Sequence, residues 1–273
     1  MPECIIDIHT HIYPSVLARR AMKVAGREHD AYENLPVKEN LLSRMQEEGI
    51  CLSIVQPVVS KPETQRDVNR FAREVMRPGI ISFGGLHPDC AHVEEELERL
   101  EDMGFSGVKF HPPFQKVFLP DERYHAMWKR INHLRLPVLI HCGSARVWSP
   151  YDLYPSGLAG ILRLVPDVPV ILAHMGGRST DPGEERELYN FPENVWIDTA
   201  MSAERQPLED FERIVEAMGP ERVVFGSDFP YGTEQAAIHY IKNSCFSAEE
   251  KAKMLGGNAA RLLPERALRW RKQ

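Results

Sequence analysis

The sequence predicts one (β/α)8 barrel of the TIM type, a single α/β domain over residues 1–273 with extra helices at its C-terminal end. Three observations carry that expectation. Short β-branched runs alternate with amphipathic helical patterns, the rhythm of βα units around a parallel sheet. Eight such runs can be counted, the number that closes a barrel. The length of 273 residues also suits one barrel, which needs about 250.

In chain order the expected strands are Cys4–His9, Cys51–Gln56, Ile80–Leu86, Gly107–His111, Pro137–Cys142, Val168–His174, Val195–Thr199 and Arg222–Asp228. Between them, Val93, Leu97 and Leu100 recur at i, i+4, i+7, and Phe211, Ile214, Val215 and Met218 at i, i+3, i+4, i+7. Both stripes predict helices facing the barrel wall. After the eighth strand, Ser247-Ala-Glu-Glu250 reads as a capping box and Gly257–Leu263 as a terminal helix. Three connections are long: Ile12–Leu35, Gly143–Ser156 and Met175–Tyr189. Segments of that size in a compact domain are more often binding loops or lids than filler. Their aromatic residues Tyr13, Trp148, Tyr151 and Tyr154 are candidates to line a substrate cavity.

Composition narrows the function classes. With 43% hydrophobic and 26% charged residues the chain has the material for a large core. Its net charge of -6 gives no attraction to phosphate backbones or anionic lipid, so neither nucleic acid nor membrane is an expected partner. No run approaches the roughly 20 apolar residues of a bilayer span, and the start of the chain has no secretion signal. The five cysteines (Cys4, Cys51, Cys90, Cys142 and Cys245) are scattered and form no C-x-x-C, which reads as reduced thiols in a cytoplasmic protein. No G-x-S-x-G elbow, G-x-G-x-x-G or P-loop occurs, which argues against a serine hydrolase and against nucleotide chemistry.

The chemistry gathers at strand ends. His9, His11, His87, His111, His141, His174 and Asp228 all stand at or just past the C-terminal end of an expected strand, where a barrel builds its active face. His9-Thr10-His11 is an H-x-H on a strand, so both imidazoles leave the same side, close enough to share an ion or to be two satisfied polar groups. His141 closes the apolar strand Pro137-Val-Leu-Ile-His141, and Asp228 closes Val223-Val-Phe-Gly-Ser-Asp228. A carboxylate at the end of a buried strand is costly without a cation or several hydrogen bonds. Three nitrogens and one oxygen make a ligand set for one divalent ion, zinc first, with iron(II), manganese and cobalt as alternatives.

With these residues in view, the sequence resembles the amidohydrolase superfamily, in its amidohydrolase-related branch. That branch includes aminocarboxymuconate-semialdehyde decarboxylase and related decarboxylases, hydratases and lactonases. The segments that carry the likeness are Ile6-Asp-Ile-His-Thr-His11, Gly107-Val-Lys-Phe-His-Pro112, Val138-Leu-Ile-His-Cys-Gly143, Ile171-Leu-Ala-His-Met-Gly-Gly177, Val223-Val-Phe-Gly-Ser-Asp-Phe-Pro230 and Gly257-Asn-Ala-Ala-Arg-Leu-Leu263. They span nearly the whole chain in the family's order. The resemblance implies that His9, His11, His141 and Asp228 bind a metal, that His174 sits beside it as a catalytic acid/base, and that a homodimer is compatible with the fold.

Other residues have two readings each. Lys109 shares a strand face with His111 and either becomes a carbamate between two ions or pairs with a buried carboxylate such as Asp7, the second being favoured. His111 either touches substrate or caps its strand, and His87 reads as structural. Arg146 and Arg178 follow His141 and His174 in the active-face loops, where a guanidinium suits a carboxylate-bearing small substrate or a surface ion pair. Cys142 points away from His141 and reads as core.

The expected reaction is hydrolysis of an amide, ester or lactone by a metal-activated water, with Asp228 taking its proton and His174 assisting the leaving group. The alternative on the same residues is decarboxylation of a small unsaturated or aromatic carboxylic acid. A barrel that has lost catalysis and serves as a scaffold is a third reading, disfavoured because five chemically competent side chains persist at the strand ends.

Overall fold

Alternation of inward and outward side chains along eight short parallel strands builds the molecule, a computed structural model in which residues 4–27, 29, 31, 34–145, 149–178 and 190–271 are described. The strands are β1 (Ile5–Thr10), β2 (Ile50–Val55), β3 in two pieces (Ile80–Ser82 and Gly84–Gly85), β4 (Val108–Phe110), β5 (Val138–Ile140), β6 (Val170–Leu172), β7 (Val195–Asp198) and β8 (Val223–Val224). Each expected run overlaps one of them, with β1 and β2 displaced by one residue at an end. Neighbours pair in parallel from β1 through β3 and again from the second piece of β3 through β8. The ring closes where Thr10 bridges Phe229 in parallel, Ile8 N–H donates to Phe225 O, and Asp228 N–H donates to His9 O. The result is a (β/α)8 barrel.

Two apolar layers follow from the alternation. Outward residues such as Val108, Phe110, Val138, Ile140, Val170, Leu172 and Ile197 are buried against the helices. Their partners include α1 (Val93–Asp102), through Leu97 and Leu100, and α2 (Leu208–Met218), through Phe211, Ile214, Val215 and Met218. Each fully buried side chain of this kind is worth about 1.5–3 kcal/mol. Inward residues Leu52, Ile54, Ile81, Leu139, Ile171 and Val224 form a second cluster, completed by Ala259, Leu262 and Leu263 from the C-terminal helices. The expected capping box is present, with Ser247 and Glu250 exchanging bonds at the start of Ala248–Ala252.

The inward positions change character towards the strand ends. Lys109 lies between Val108 and Phe110, His141 two residues beyond Leu139, Asp198 two beyond Trp196, and Asp228 four beyond Val224. Period-two alternation therefore sets a polar ring directly on top of an apolar plug.

One expectation fails in the barrel wall. Cys4 and Cys51 form a disulfide, with Cα atoms 5.6 Å apart, and are not free thiols; Cys90, Cys142 and Cys245 are. The reason is strand pairing: β1 and β2 are neighbours with Ile5 opposite Ile50, which brings together two cysteines 47 residues apart in sequence. A search for local cysteine spacing cannot see a contact made across a sheet. Among the described residues no helix is long and apolar enough to cross a membrane.

Candidate metal centre and catalytic site

The strand β1 delivers the first two imidazoles. Its pairing with β2 slips between Asp7 and Thr10, and the Asp7 carboxylate accepts the His9 N–H, which fixes the strand end. His9 and His11 then leave on the same side, as their spacing predicts, with Nε2 atoms 3.2 Å apart. Asp228 arrives from the end of β8, in a left-handed conformation with φ 63°. Its Oδ1 lies 3.4 Å from His9 Nε2 and 3.2 Å from His11 Nε2.

His174 and His141 form the other side. His174 Nδ1 lies 3.2 Å from Ala200 O, and since a carbonyl only accepts, that nitrogen carries the proton. His174 Nε2 is then the acceptor for His141 Nδ1–H at 3.0 Å, which leaves the lone pair of His141 on Nε2. That atom is buried with no hydrogen-bond partner. The His141 ring stacks on His111, centroids 3.9 Å apart, and His111 stacks in turn on Phe114 at 4.2 Å. The two sides meet: the rings of His9 and His174 are 5.3 Å apart, and His9, His174 and Asp228 have ligand atoms all within 4.8 Å of one another.

Asp198, at the end of β7, ties both sides together. Its Oδ2 accepts His9 Nδ1–H at 2.8 Å, while its Oδ1 accepts the backbone N–H groups of His174 and Ala200. A carboxylate behind an imidazole fixes the tautomer and aims the opposite nitrogen, the usual arrangement behind metal-bound histidines. Around His174 the backbone is left-handed for four residues, with φ between 54° and 90° from His174 to Gly177. A left-handed non-glycine residue costs about 1–2 kcal/mol, and strain of this kind persists where surrounding contacts hold it. Here Asp198 supplies one such contact. Gly177 supplies another, since a Cβ there would lie 2.9 Å from Gly143 N.

Burial sets the protonation states. It drives His9, His111 and His141 well below their ordinary range and lowers His174 too, so burial favours the neutral form of these four rings. For Asp228 burial pulls upward, but the field of His9, with His11 and His174, outweighs it and holds the carboxyl below the usual carboxylate range. Lys109 is only 1% exposed, and burial lowers it to about 8.

These atoms suit a divalent ion. Ligands about 2.0–2.1 Å from an ion in tetrahedral array stand about 3.3 Å from one another. The separations among His9 Nε2, His11 Nε2 and Asp228 Oδ1 lie between 3.2 and 3.4 Å. With its proton held on Nδ1, His9 aims the Nε2 lone pair at His11 Nε2 and Asp228 Oδ1, and His141 Nε2 is a further buried donor without a partner. Behind the cluster, Asp7 accepts from Ser227 through both N–H and Oγ–H, and burial raises it to about 7.

The remaining candidates fare unevenly. Lys109 does not pair with Asp7, whose oxygens are taken by Ser227 and His9; its Nζ stands 3.2 Å from His9 Nε2. His87 accepts the Asp89 N–H and closes a turn, as a structural residue would. Tyr151 is half-buried, and among the described residues no hydrogen bond or ring contact joins its ring to the cluster. Arg146, Trp148 and the side chain of Arg178 lie outside the described residues. Tyr231, which sequence reasoning passed over, has its ring 5.6 Å from that of His11 and its hydroxyl 3.4 Å from that of Tyr13. Asp198 was also passed over. The criterion that picked out Asp228, a carboxylate ending a buried apolar strand, applies equally to Val195-Trp-Ile-Asp198.

A family model described as amidohydrolase matches residues 6–264. The chain belongs to the amidohydrolase family. Among curated relatives, the 6-methylsalicylic acid decarboxylase acuB of Aspergillus aculeatus is 23% identical, covering 96% of this chain and 94% of its own length. A gamma-resorcylate decarboxylase of Rhodococcus jostii is 24% identical over 83% of this amidohydrolase chain and 86% of its own. Among solved structures, dihydroxybenzoic acid decarboxylase from Polaromonas sp., with bound manganese and 2-nitroresorcinol, superposes with a TM-score of 0.74 at 18% identity, covering 95% and 96% of the two chains. The 5-carboxyvanillate decarboxylase LigW of Sphingomonas paucimobilis gives 0.72, also at 18% identity, over 95% and 98%.

These relatives overturn the expectation of hydrolysis. Each is named for loss of CO2 from an aromatic acid, and none of them for cleavage of an amide, ester or lactone. The error has a physical origin. A metal held by histidines and a carboxylate polarises an oxygen in either reaction, so the ligand set carries no information about which bond breaks.

Proposed function

We propose that this amidohydrolase-family enzyme is a metal-dependent decarboxylase of a small aromatic carboxylic acid, with His9, His11, His141 and Asp228 as metal ligands and His174 as the acid/base. The observation that carries the reading is the similarity, over nearly the full chain, to decarboxylases of hydroxylated benzoic acids. Manganese is the first ion to load, because a structurally similar relative holds it, and three imidazoles with one carboxylate accommodate it as they do zinc. A bound divalent ion would supply Lewis-acid polarisation of the substrate's oxygens.

The chain's own residues do the rest. Loss of CO2 from an aryl acid replaces a carbon–carbon bond by a carbon–hydrogen bond, so one proton has to reach the ring carbon. His174 is suited to deliver it from Nε2. Ala200 O holds the proton on Nδ1, and burial makes the cationic ring a stronger acid than a free imidazolium. Because Nε2 also accepts from His141, its proton affinity depends on which nitrogen of His141 is committed elsewhere. Asp198 orients His9 and, through the His174 N–H, the turn that carries the acid.

The test is a panel of hydroxybenzoic acids and unsaturated acids given to manganese-loaded protein, scored for CO2. The expected result is CO2 and the matching arene or phenol in equal amounts. Release of carboxylic acid from lactones or amides, with no CO2 from any acid, would overturn the reading.

A further inference from the structure

Lys109 is the buried charge that the reading above does not use. It lies on β4, buried, with its Nζ 3.2 Å from His9 Nε2. Among the described residues that nitrogen is its one hydrogen-bond partner, and no carboxylate oxygen lies within ion-pair distance. Asp198 and Asp228 act on it only through their field. An ammonium has three N–H donors and no acceptor, and leaving a buried charge without a partner is strongly destabilising. Asp198 fixes the proton of His9 on Nδ1, so the lone pair on Nε2 is what Lys109 faces. An ion on Nε2 takes that lone pair, and Lys109 then has three donors and nothing to receive them. An ammonium a few ångströms from a divalent cation is also repelled by it, and burial leaves little water to screen that repulsion. Both defects are cured by one thing, an anionic oxygen seated between the lysine and the ion.

We propose that Lys109 is the cationic half of an anion receptor, its ammonium taking an oxygen of the substrate's carboxylate beside the metal. The proposal rests on the metal-dependent reading above and narrows it to substrates bound as carboxylate anions. Lys109 is thereby a specificity-determining residue: it favours acids over neutral arenes of the same shape, including the decarboxylated product, and so assists product release.

The experiment reads metal affinity rather than turnover. Manganese binding to native protein, to Lys109→Met and to Lys109→Arg is titrated calorimetrically with and without benzoate at tens of millimolar. Benzoate should tighten manganese binding to native protein about tenfold, because the receptor needs both the ion and the lysine. In Lys109→Met, manganese should bind at least as tightly as in native protein without benzoate, since a like charge is gone, and benzoate should change that affinity less than about twofold. Lys109→Arg should keep most of the benzoate effect, which a merely space-filling lysine would not require. Absence of any benzoate effect on native protein overturns the proposal whichever variants fold. Loss of manganese from Lys109→Met and Lys109→Arg also overturns it, because the lysine nitrogen, or a carbamate on it, would then be a ligand. Native protein that takes no manganese fails the metal reading itself. Native protein that releases CO2 from an acid yet has no benzoate linkage fails this proposal alone.

Discussion

The two sides of the site are built by different means. On the β1 and β8 side, His9, His11 and Asp228 stand at strand ends locked by ladder hydrogen bonds, including His11 N–H to Phe229 O and Asp228 N–H to His9 O. Their donor atoms already stand at ligand spacing. On the β5 and β6 side, His141 is still tied by a ladder bond, its N–H donating to Phe110 O, but His174 sits on a four-residue left-handed turn held by the Asp198 carboxylate. A ligand cluster that must hold an ion is served by rigidity, while a proton carrier must move between partners. The proposed division of labour is matched by the backbone as well as by the side chains.

The largest expected effect belongs to the rigid side. Asp228→Ala should leave less than about a tenth of an ion per chain and no measurable turnover, because two imidazoles lose their anionic partner. Elemental analysis of protein loaded and then desalted checks it. His174→Asn should do the reverse, keeping the metal while lowering kcat by about 10²–10⁴-fold, the range for loss of a general acid. Equal metal loss in both variants would break the comparison.

Behind the rigid side lies a buried acid, Glu234, at the start of the helix Glu234–Asn243. It is 2% exposed, its Oε1 lacks a partner, and burial raises its pKa to about 8 from the ordinary 4.5. Between those values the unfolded chain gives up a proton that the folded protein keeps, so folding stability falls as pH rises from about 4.5 to about 8 and levels off above. Glu234→Gln should remove that fall, giving a variant equal to native protein near pH 4 and more stable near pH 8 by a few kcal/mol. Urea midpoints of metal-free protein at the two pH values test it, and parallel pH curves would refute it.

Asp198→Asn touches both sides at once and sharpens the comparison. It weakens the aim of His9 and loosens the His174 turn, so metal affinity should fall about 10–100-fold and kcat should fall in metal-saturated protein as well. A change in metal affinity alone would place Asp198 with the rigid side only.

This asymmetry also explains what the sequence revealed. The eight strands were legible because β-branched runs and turn residues repeat at short range, and His9, His11 and Asp228 because strand alternation dictates where they face. Asp198 was legible by the same rule but was overlooked. Lys109 could be placed on the inward face yet not paired correctly, because whether Asp7 is free depends on Ser227, 220 residues away. The Cys4–Cys51 bond and the His111–His141 stack are cross-strand contacts of the same kind. The left-handed turn left only a weak mark, the glycine pair at Gly176 and Gly177, and nothing in local pattern says that His174 and Met175 share its conformation.

That glycine pair supports the smallest prediction. Gly177 has φ +90°, and a Cβ there would press on the Gly143 backbone at 2.9 Å, whereas Gly49, at φ +69°, has nothing within 4 Å. Both alanine variants incur the left-handed penalty of about 1 kcal/mol, but only Gly177→Ala must also separate the loops after β5 and β6. Gly49→Ala should therefore lower stability by about 1 kcal/mol and leave kcat alone. Gly177→Ala should lower stability by about 1–3 kcal/mol and reduce kcat by a larger factor than it weakens metal binding, because the strain falls on the loops that carry His141 and His174 and spares the three ligands on β1 and β8. Equal kinetic effects in the two variants would mean that the left-handed turn is not what positions the acid.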